Sequence, residues 1–431
     1  MAGFPPSAVV VGGSLAGLMH GLVLKRHGTN VTILEQEPAS TRSSHNAGIG
    51  FGPQAEELLR DYCDLAGLEG YYAPAVKTRL ALRKKANFRE INLVRHLTSW
   101  TLLYRILRAN FDGFPSSTIP NPPPPRKGDG RTEYRSGQRV TSLEYHNRDS
   151  TITVHFVDVT TGKESSLTTD LLIGADGVNS VVRELVLPNK TPANSRKEYS
   201  GYVAWRGTVP DDAVSESTKQ YFSDRTCANM LPRSSIITYM IPSDDDNAGH
   251  RLINFVWYYN VPAGSTTMTE VFTDITGKQH QNTVPTGLVQ PDIWKREKGT
   301  MLNRMAEPFA ELIGTCDISR VFVTKVNDKV CADSASFYNG KVLLVGDALV
   351  AFRPHFAVAT EQAAGHGLGL AKVWKGDKSL EEWSREVVRY GKRTWLASRV
   401  LGEFGQGTWF SFFRTLLSHV VLLVKLKMGW A

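Results

Sequence analysis

One stretch constrains this chain more than any other: residues 9–35, VVVGGSLAGLMHGLVLKRHGTNVTILE. Val9, Val10 and Val11 form a continuous β-branched run, the pattern of a strand covered on both faces. Gly12, Gly13 and Ser14 turn the chain, and from Leu15 an amphipathic helix is expected, with Leu18, Met19, Leu22 and Val23 on one face. Arg26 and His27 suit a helix C-terminus, and Gly28 stops it. Residues 31–34 make a second strand that ends at Glu35. Strand, glycine turn, helix, strand and terminal acid together are the dinucleotide-binding pattern with one substitution. Gly12 makes the tight turn, Gly17 lets helix and strand pack closely, and Ser14 stands where a second glycine is expected. A pyrophosphate would rest on the helix N-terminus, whose free N–H groups and dipole attract anions, with the Ser14 hydroxyl within reach of a phosphate. Glu35 falls where a carboxylate grips an adenosine ribose. The competing reading is an ordinary βαβ crossover with a glycine-rich turn.

A chain of 431 residues is too long for one simple core, so two domains are expected. Its 41% hydrophobic and 21% charged content fits a soluble globular protein. The net charge of +8 favours anionic cofactors or a membrane surface, but the basic residues are scattered. The densest cluster, Arg83, Lys84 and Lys85, reads as a solvated face, and no nucleic-acid-binding module is present. Cys63, Cys227, Cys316 and Cys331 lie far apart and form no metal-ligand cluster, which points to free thiols in a reducing, cytoplasmic setting. The N-terminal MAGFPPSAVV lacks the charged and apolar regions of a signal peptide.

Further along, residues 36–45 form a polar loop, and residues 46–53 read as a glycine-rich bend in which Gly48 and Gly50 would let backbone approach a flat ring. Ser99 is a candidate N-cap for a helix through Arg105, and residues 121–130 are a proline-rich connector. Residues 139–143 and 151–157 alternate like hairpin strands. Residues 171–177 form another buried strand ending in Asp176-Gly177, with Ser180 and Arg183 on the helix that follows. Residues 199–260 change character, with aromatic and β-branched residues alternating with polar ones in GYVAWRG, IITYMIP and NFVWYYN, and read as an antiparallel sheet. Residues 341–347 are the last buried strand of the first domain, and Asp347 at its end is placed to hold a ribityl hydroxyl. In the tail, Phe410, Phe413, Leu417, Val421 and Val424 recur at helical spacing, interrupted by Arg414, His419, Lys425 and Lys427. Its unbroken apolar runs fall far short of the ~20 residues of a membrane span. That face is open to core packing, to a homodimer contact, or to a weak contact with a membrane surface through its basic positions.

Three separated motifs agree: GGSLAG with Glu35, ADGVNSVVR at 175–183 and LLVGDA at 343–348. Together they resemble the FAD-dependent aromatic hydroxylases, the single-component flavoprotein monooxygenases of the p-hydroxybenzoate hydroxylase type. GGS in place of GxG, with GYVAWRG, NFVWYYN and GDALVAFRPH, resembles the 2,6-dihydroxypyridine hydroxylase branch, over residues 9–405. The resemblance implies an α/β fold: a Rossmann-like FAD-binding domain (residues 1–75, 101–198 and 321–400), an inserted antiparallel β-sheet substrate domain (76–100 and 199–320), and a C-terminal helical tail (401–431). It implies a non-covalent FAD, with Gly12, Ser14, Leu15 and Ala16 at the pyrophosphate and Glu35 and Gln36 at the adenosine ribose. Arg105 falls beside the cofactor, Asp176 belongs to the motif linked to both FAD and NAD(P)H, and Asp347 reaches the ribityl region. Gly48, Pro354, Ala357 and Val358 would pass the flavin ring. The family often has glycine near Ala359 and Thr360, and AVATEQAAGHG departs from it with a bulkier loop.

The implied cycle has NAD(P)H reduce the flavin, O2 add to give a C4a-hydroperoxide, and the terminal oxygen pass to an electron-rich aromatic small molecule. Holding a phenol of pKa about 10 as phenolate at pH 7 costs roughly 4 kcal/mol. A nearby cation or a histidine relieves that cost. His355, after Pro354 in the loop expected to face the flavin, is the first candidate base; Arg206, Tyr239 and Tyr258 are candidates from the second sheet, while Trp205 and Trp257 are expected in its core. No metal site is expected. Other readings are a halogenase, against which the missing WxWxIP signature counts, a non-enzymatic FAD protein, or a flavin-free NAD(P) dehydrogenase.

Overall fold

In a computed structural model, which describes residues 3–39, 47–65, 67–187, 197–243 and 251–428, the β-branched run at the N-terminus is the strand Ser7–Val11, at the middle of a six-stranded sheet. It lies parallel between Leu171–Gly174 and Asn30–Leu34, in register Val9 with Leu172 on one side and Thr32 on the other. Val342–Leu344 and Thr132–Arg135 extend the sheet in parallel, and Ser336–Phe337 closes one edge antiparallel. All four buried strands expected for the dinucleotide-binding domain therefore lie side by side. The polar loop expected over 36–45 leaves the described residues at 40, and Asn46 of the expected bend lies outside them.

The helix Leu15–Arg26 is not amphipathic. Leu15 and every residue from Gly17 to Lys25 are buried, because the helices Trp100–Asp112 and Ala359–Lys375 pack on it as well as the sheet. Its buried Lys25 is satisfied by the Asn110 and Phe111 carbonyls at 2.7 and 3.0 Å, and Arg26 donates to Asp129 of the proline-rich connector at 2.6 Å. Gly28 sits at φ +85°, a left-handed conformation that suits the glycine after a helix. Ser99 accepts from the Leu102 N–H and caps the helix Trp100–Asp112 as expected. Residues 138–169 form a separate three-stranded meander.

The second layer is a nine-stranded sheet in the order Thr283–Val284, Val321–Asp328, Glu198–Pro210, Arg251–Asn260, Ser234–Pro242, Arg225–Leu231, Ala73–Leu82, Lys85–Ser99, Gly48–Phe51. It is antiparallel except where Arg225–Leu231 runs parallel to Ala73–Leu82. Two segments differ from the sequence reading. Residues 48–51, expected as a bend, are an edge strand paired with residues 96–99, and residues 321–328, assigned to the FAD-binding domain, pair with Glu198–Pro210. Both placements depend on distant partners that local pattern does not reveal.

Strand alternation divides this sheet chemically. Trp205, Trp257, Phe255 and Ile236 point to one face, where they are fully buried against the helices Pro291–Leu302 and Glu307–Thr315, with Trp205 and Trp294 ring centroids 5.3 Å apart. Arg206 opposite Val256, Tyr258 opposite Ser235, and Tyr239 opposite Asn254 point to the other face. The C-terminal helices Leu380–Gln406 and Trp409–Met428 form an antiparallel pair, with Phe404 against Phe412 and Arg389 donating to the Leu426 carbonyl at 3.0 Å.

Candidate functional site

At the sheet's central strand end, Gly12 adopts φ +100°, and a Cβ there would come 2.5 Å from the Ala175 carbonyl oxygen. A Cβ at Gly17 would overlap the Gly12 carbonyl, so both motif glycines are sterically required. Ser14 is the helix N-cap, yet its side chain makes no capping bond, which leaves the first turn at Leu15 and Ala16 to an anion. Glu35 is buried, and its carboxylate accepts from the Gly13 N–H at 2.7 Å and the Glu37 N–H at 2.9 Å. Gln36 beside it is exposed. Tyr134, which the sequence reading passed over, donates its hydroxyl to the Gly13 carbonyl at 3.0 Å.

The other two motifs meet behind this turn. The Asp176 carboxylate accepts from the Ser180 hydroxyl at 2.5 Å and the Val181 and Val182 N–H groups at 2.7 and 3.1 Å, capping the helix Val181–Val186. Burial pushes its pKa up. From that helix the buried Arg183 donates to the Leu349 and Val330 carbonyls at 2.8 and 2.7 Å, tying ADGVNSVVR to GDALV. A Cβ on Gly346 would lie 3.1 Å from the Ala16 Cβ, so the pyrophosphate turn abuts the strand end that carries Asp347. Arg105 donates to the Thr118 hydroxyl at 2.5 Å.

Between the nine-stranded sheet and the segment 347–360, which follows the strand Val342–Leu344, lies a cavity of about 560 Å³, the size of a small-molecule site. Its first wall is made of Asp347, Pro354, His355, Ala357 and Val358, and its second of Gly48, Arg206, Tyr239 and Tyr258 among apolar side chains. Nine of the sequence-predicted site residues thus line one space, while Gly12, Ser14, Leu15, Ala16 and Glu35 gather at the adjoining turn and Gln36, Arg105 and Asp176 line no part of the cavity. Asp347 makes no hydrogen bond to a described residue, and burial pushes its pKa up to about 6. The Arg206 Nε is buried without a partner among the described residues. The Tyr239 and Tyr258 hydroxyls also bond to none of them, and burial raises both pKa values, Tyr258 to about 12, so both remain O–H donors.

His355 faces this cavity with Nε2 2.7 Å from the Tyr202 hydroxyl and its ring 4.6 Å from that of Tyr258. Burial, reinforced by the Arg353 cation, lowers its pKa to about 3. Arg353 itself is held by Asp328 at 2.7 Å and Glu403 at 2.9 Å. Asn254, opposite Tyr239, accepts from the Gly48 N–H at 2.9 Å and leaves Nδ2 buried and unpartnered. Tyr202 was legible four residues before Arg206 on the same strand face, whereas Asn254 carries no local signal. Among the described residues no group of acids, histidines and cysteines could hold a metal ion, and all four cysteines are buried free thiols.

The residues present fit FAD: an uncapped helix N-terminus for the pyrophosphate, an unpartnered carboxylate for hydroxyl groups, and glycine backbone at the cavity edge. The protein is a flavoprotein monooxygenase of the FAD-dependent aromatic hydroxylase type. Within that class it is similar to the dihydroxypyridine hydroxylase branch. Residues 199–328 match the family model described as FAD binding domain-like. The chain is 28% identical over 394 residues to 2,6-dihydroxypyridine 3-monooxygenase of Paenarthrobacter nicotinovorans, covering 89% of this chain and 87% of that protein. It is 26% identical to 6-hydroxynicotinate 3-monooxygenase of Pseudomonas fluorescens, covering 86% and 83%. The solved structure of 2,6-dihydroxypyridine-3-hydroxylase from Arthrobacter nicotinovorans superposes with a TM-score of 0.76 at 25% identity, covering 94% of each chain.

Proposed function

We propose that the protein hydroxylates an aromatic or heteroaromatic ring bearing an acidic hydroxyl, bound as its anion against Arg206. The observation that carries this reading is the Arg206 guanidinium, which lines the cavity with the Tyr239 and Tyr258 side chains and whose buried Nε has no hydrogen-bond partner among the described residues. A ring oxyanion satisfies the cation and accepts from Tyr239 and Tyr258. Deprotonation makes the ring electron-rich, which is what an electrophilic oxygen donor requires. The hydroxylated pyridines named for the relatives belong to this chemical class.

FAD, reduced by NAD(P)H, supplies the activation and transfer of one oxygen atom from O2. Ser14, Leu15 and Ala16 would hold its pyrophosphate, Glu35 and Gln36 its adenosine ribose, and Asp347 its ribityl hydroxyls. Gly48, Pro354, Ala357 and Val358 would border its ring. Asp176 acts on this site by fixing the turn beside Gly12, and Arg105 would stand beside the cofactor. His355 takes a different role from the one the sequence suggests. With its pKa near 3 it does not hold a substrate proton at neutral pH, so it serves with Tyr202 as a neutral hydrogen-bonding wall. Arg206 lowers the substrate's own pKa instead, and the hydroxyl proton leaves to solvent.

The test is an NAD(P)H consumption screen of the FAD-loaded protein against hydroxypyridines, phenols and indoles, with product mass measured for one added oxygen. Oxygenated product from ring-hydroxylated compounds, and not from their methyl ethers, is the expected result. Equal turnover of the ethers would overturn the oxyanion reading.

A further inference from the structure

The helix Trp409–Met428 turns an apolar face outward. It is long and apolar enough to cross a membrane, and only Thr415 is buried. Trp409, Phe410, Phe413, Leu417, Val421 and Val424 are exposed, Phe410 by 79% and Trp409 by 69%. A soluble helix places charge on such a face. Here residues 409–428 contain no acid, and their charges are the cations Arg414, Lys425 and Lys427. The helix packs lengthwise on Leu380–Gln406, so it is presented in the plane of the surface rather than projecting from it.

An independent element repeats the pattern. The strands Ala73–Leu82 and Lys85–Ser99, joined by the basic turn Arg83-Lys84-Lys85, expose Leu82 beside that turn and Ile91 and Leu93 on the cavity side of the sheet. Their single acid, Glu90, is paired with Lys77, Arg79 and Arg225. The two elements share a groove between Leu82 and Arg83 on one side and Phe404, Trp409 and Phe412 on the other. They also flank the substrate cavity, whose outer wall is Ile91 and Leu93 from the hairpin and Leu401 and Gly405 from the adjoining helix.

We propose that the helix Trp409–Met428 and the cavity-side rim of the hairpin dock together in plane on an anionic lipid bilayer, and that the substrate is a membrane-partitioned hydroxyaromatic with an apolar tail, taken from the bilayer through the Leu93–Leu401 mouth. The substrate half rests on the function proposed above; the docking half does not. Apolar side chains ringed by cations are the two complementary signals of reversible interfacial binding. A second copy of this chain fits the face less well, because a two-fold contact would bring its uncompensated cations together.

The FAD-loaded full chain is sedimented with vesicles of phosphatidylcholine containing one-third phosphatidylserine, and with phosphatidylcholine alone. Binding to the anionic vesicles is expected, weakened by high salt. Loss of about tenfold or more in vesicle affinity is expected for Phe413→Glu/Leu417→Glu/Val421→Glu, and loss of several-fold for Arg83→Ser/Lys84→Ser/Lys85→Ser, with flavin absorbance retained in both. Nonylphenol dissolved in anionic vesicles should then raise NAD(P)H consumption in the wild type about tenfold more than in the triple glutamate variant, while a water-soluble hydroxypyridine serves both equally. Absence of sedimentation, or sedimentation unchanged in both variants, overturns the docking. A dimer mass by light scattering that disappears in the glutamate variant assigns the face to a second copy and overturns it too. Vesicle binding with no difference in nonylphenol turnover overturns the substrate half.

Discussion

Arg206→Met tests the oxyanion reading most directly, because the structure fixes the sign of two separate effects. The guanidinium lines the cavity with Tyr239 and Tyr258 and has no carboxylate partner among the described residues. A ring hydroxyl of ordinary pKa about 10 costs roughly 4 kcal/mol to ionise at pH 7. A cation in contact lowers that pKa by about 1–3 units, or about 1.4–4 kcal/mol. Removing it should cut kcat/KM at neutral pH by about 10- to 1000-fold and move the acid limb of the pH profile upward by about 1–3 units. The direction follows from the charge: the cation favours the deprotonated ring, so without it more alkaline solution is needed to reach the same fraction of anion. Folding should not suffer, since Arg206 is half-buried with its Nε lacking an acceptor among the described residues, and Met is apolar and of similar reach. The melting temperature should stay level or rise. Arg206→Lys should keep part of the limb, since it keeps the charge without the planar fork. The assay is kcat/KM across pH with a ring-hydroxylated substrate, with flavin content and melting temperature measured on the same samples. An unchanged acid limb in Arg206→Met would refute the assignment, even if turnover fell for other reasons.

Two further predictions concern titrating groups. Burial raises the Asp347 pKa to about 6, so the folded apoprotein favours the protonated carboxyl, and this contribution to stability is lost as pH rises through that value. Asp347→Asn should therefore melt above wild-type apoprotein near pH 8, with the gap closing as pH falls towards 4, and it should retain less FAD; a gap that persists at pH 4 argues against the burial account. Burial keeps His20, His355 and His366 neutral, with pKa values near 4, 3 and 3. On unfolding near pH 5 these three take up protons and Asp347 releases one, a net uptake of about two, which is roughly 3 kcal/mol of stability lost per pH unit. Urea midpoints measured between pH 6.5 and 5 should fall steeply, and a flat series would show that the histidines are not held neutral.

What the sequence disclosed and what it withheld divide along a physical line. A strand covered on both faces needs a continuous apolar run, and Val9–Val11, Leu171–Ile173 and Val342–Leu344 carry one; these became the core of the six-stranded sheet. Alternation separated Trp205 and Trp257 from Arg206 and Tyr258, because a strand's two faces differ at every step. Features made by distant partners were hidden. Gly48–Phe51 reads as a bend from its glycines and becomes a strand only when residues 96–99 pair with it. The helix Leu15–Arg26 was expected to show a polar face, and it lacks one because two other helices cover it. Arg183 looked like an ordinary helical arginine, and nothing local marks it as the side chain that joins two motifs through the Val330 and Leu349 carbonyls.

The treatment of three arginines bears on what the cavity is for. Arg183 is buried and saturated by backbone carbonyls, and Arg353 is buried and held by Asp328 and Glu403. Both follow the rule that a buried cation comes with its acceptors. Arg206, half-buried on the cavity wall, has no acceptor among the described residues, and Asp347, half-buried on the opposing wall, has no donor among them. The two do not pair with each other, since no ion pair joins them. Each is therefore left for something that enters the space between them, and the two need different things: Asp347 needs hydroxyl donors, and Arg206 needs an anion. A polyhydroxylated cofactor chain on one side and a ring oxyanion on the other meet both needs at once. A neutral ring without an acidic hydroxyl meets only the first, and closing the site over it would leave Arg206 buried and unpaired. Discrimination between such rings then lies in the charge the substrate brings, more than in its shape against the apolar lining.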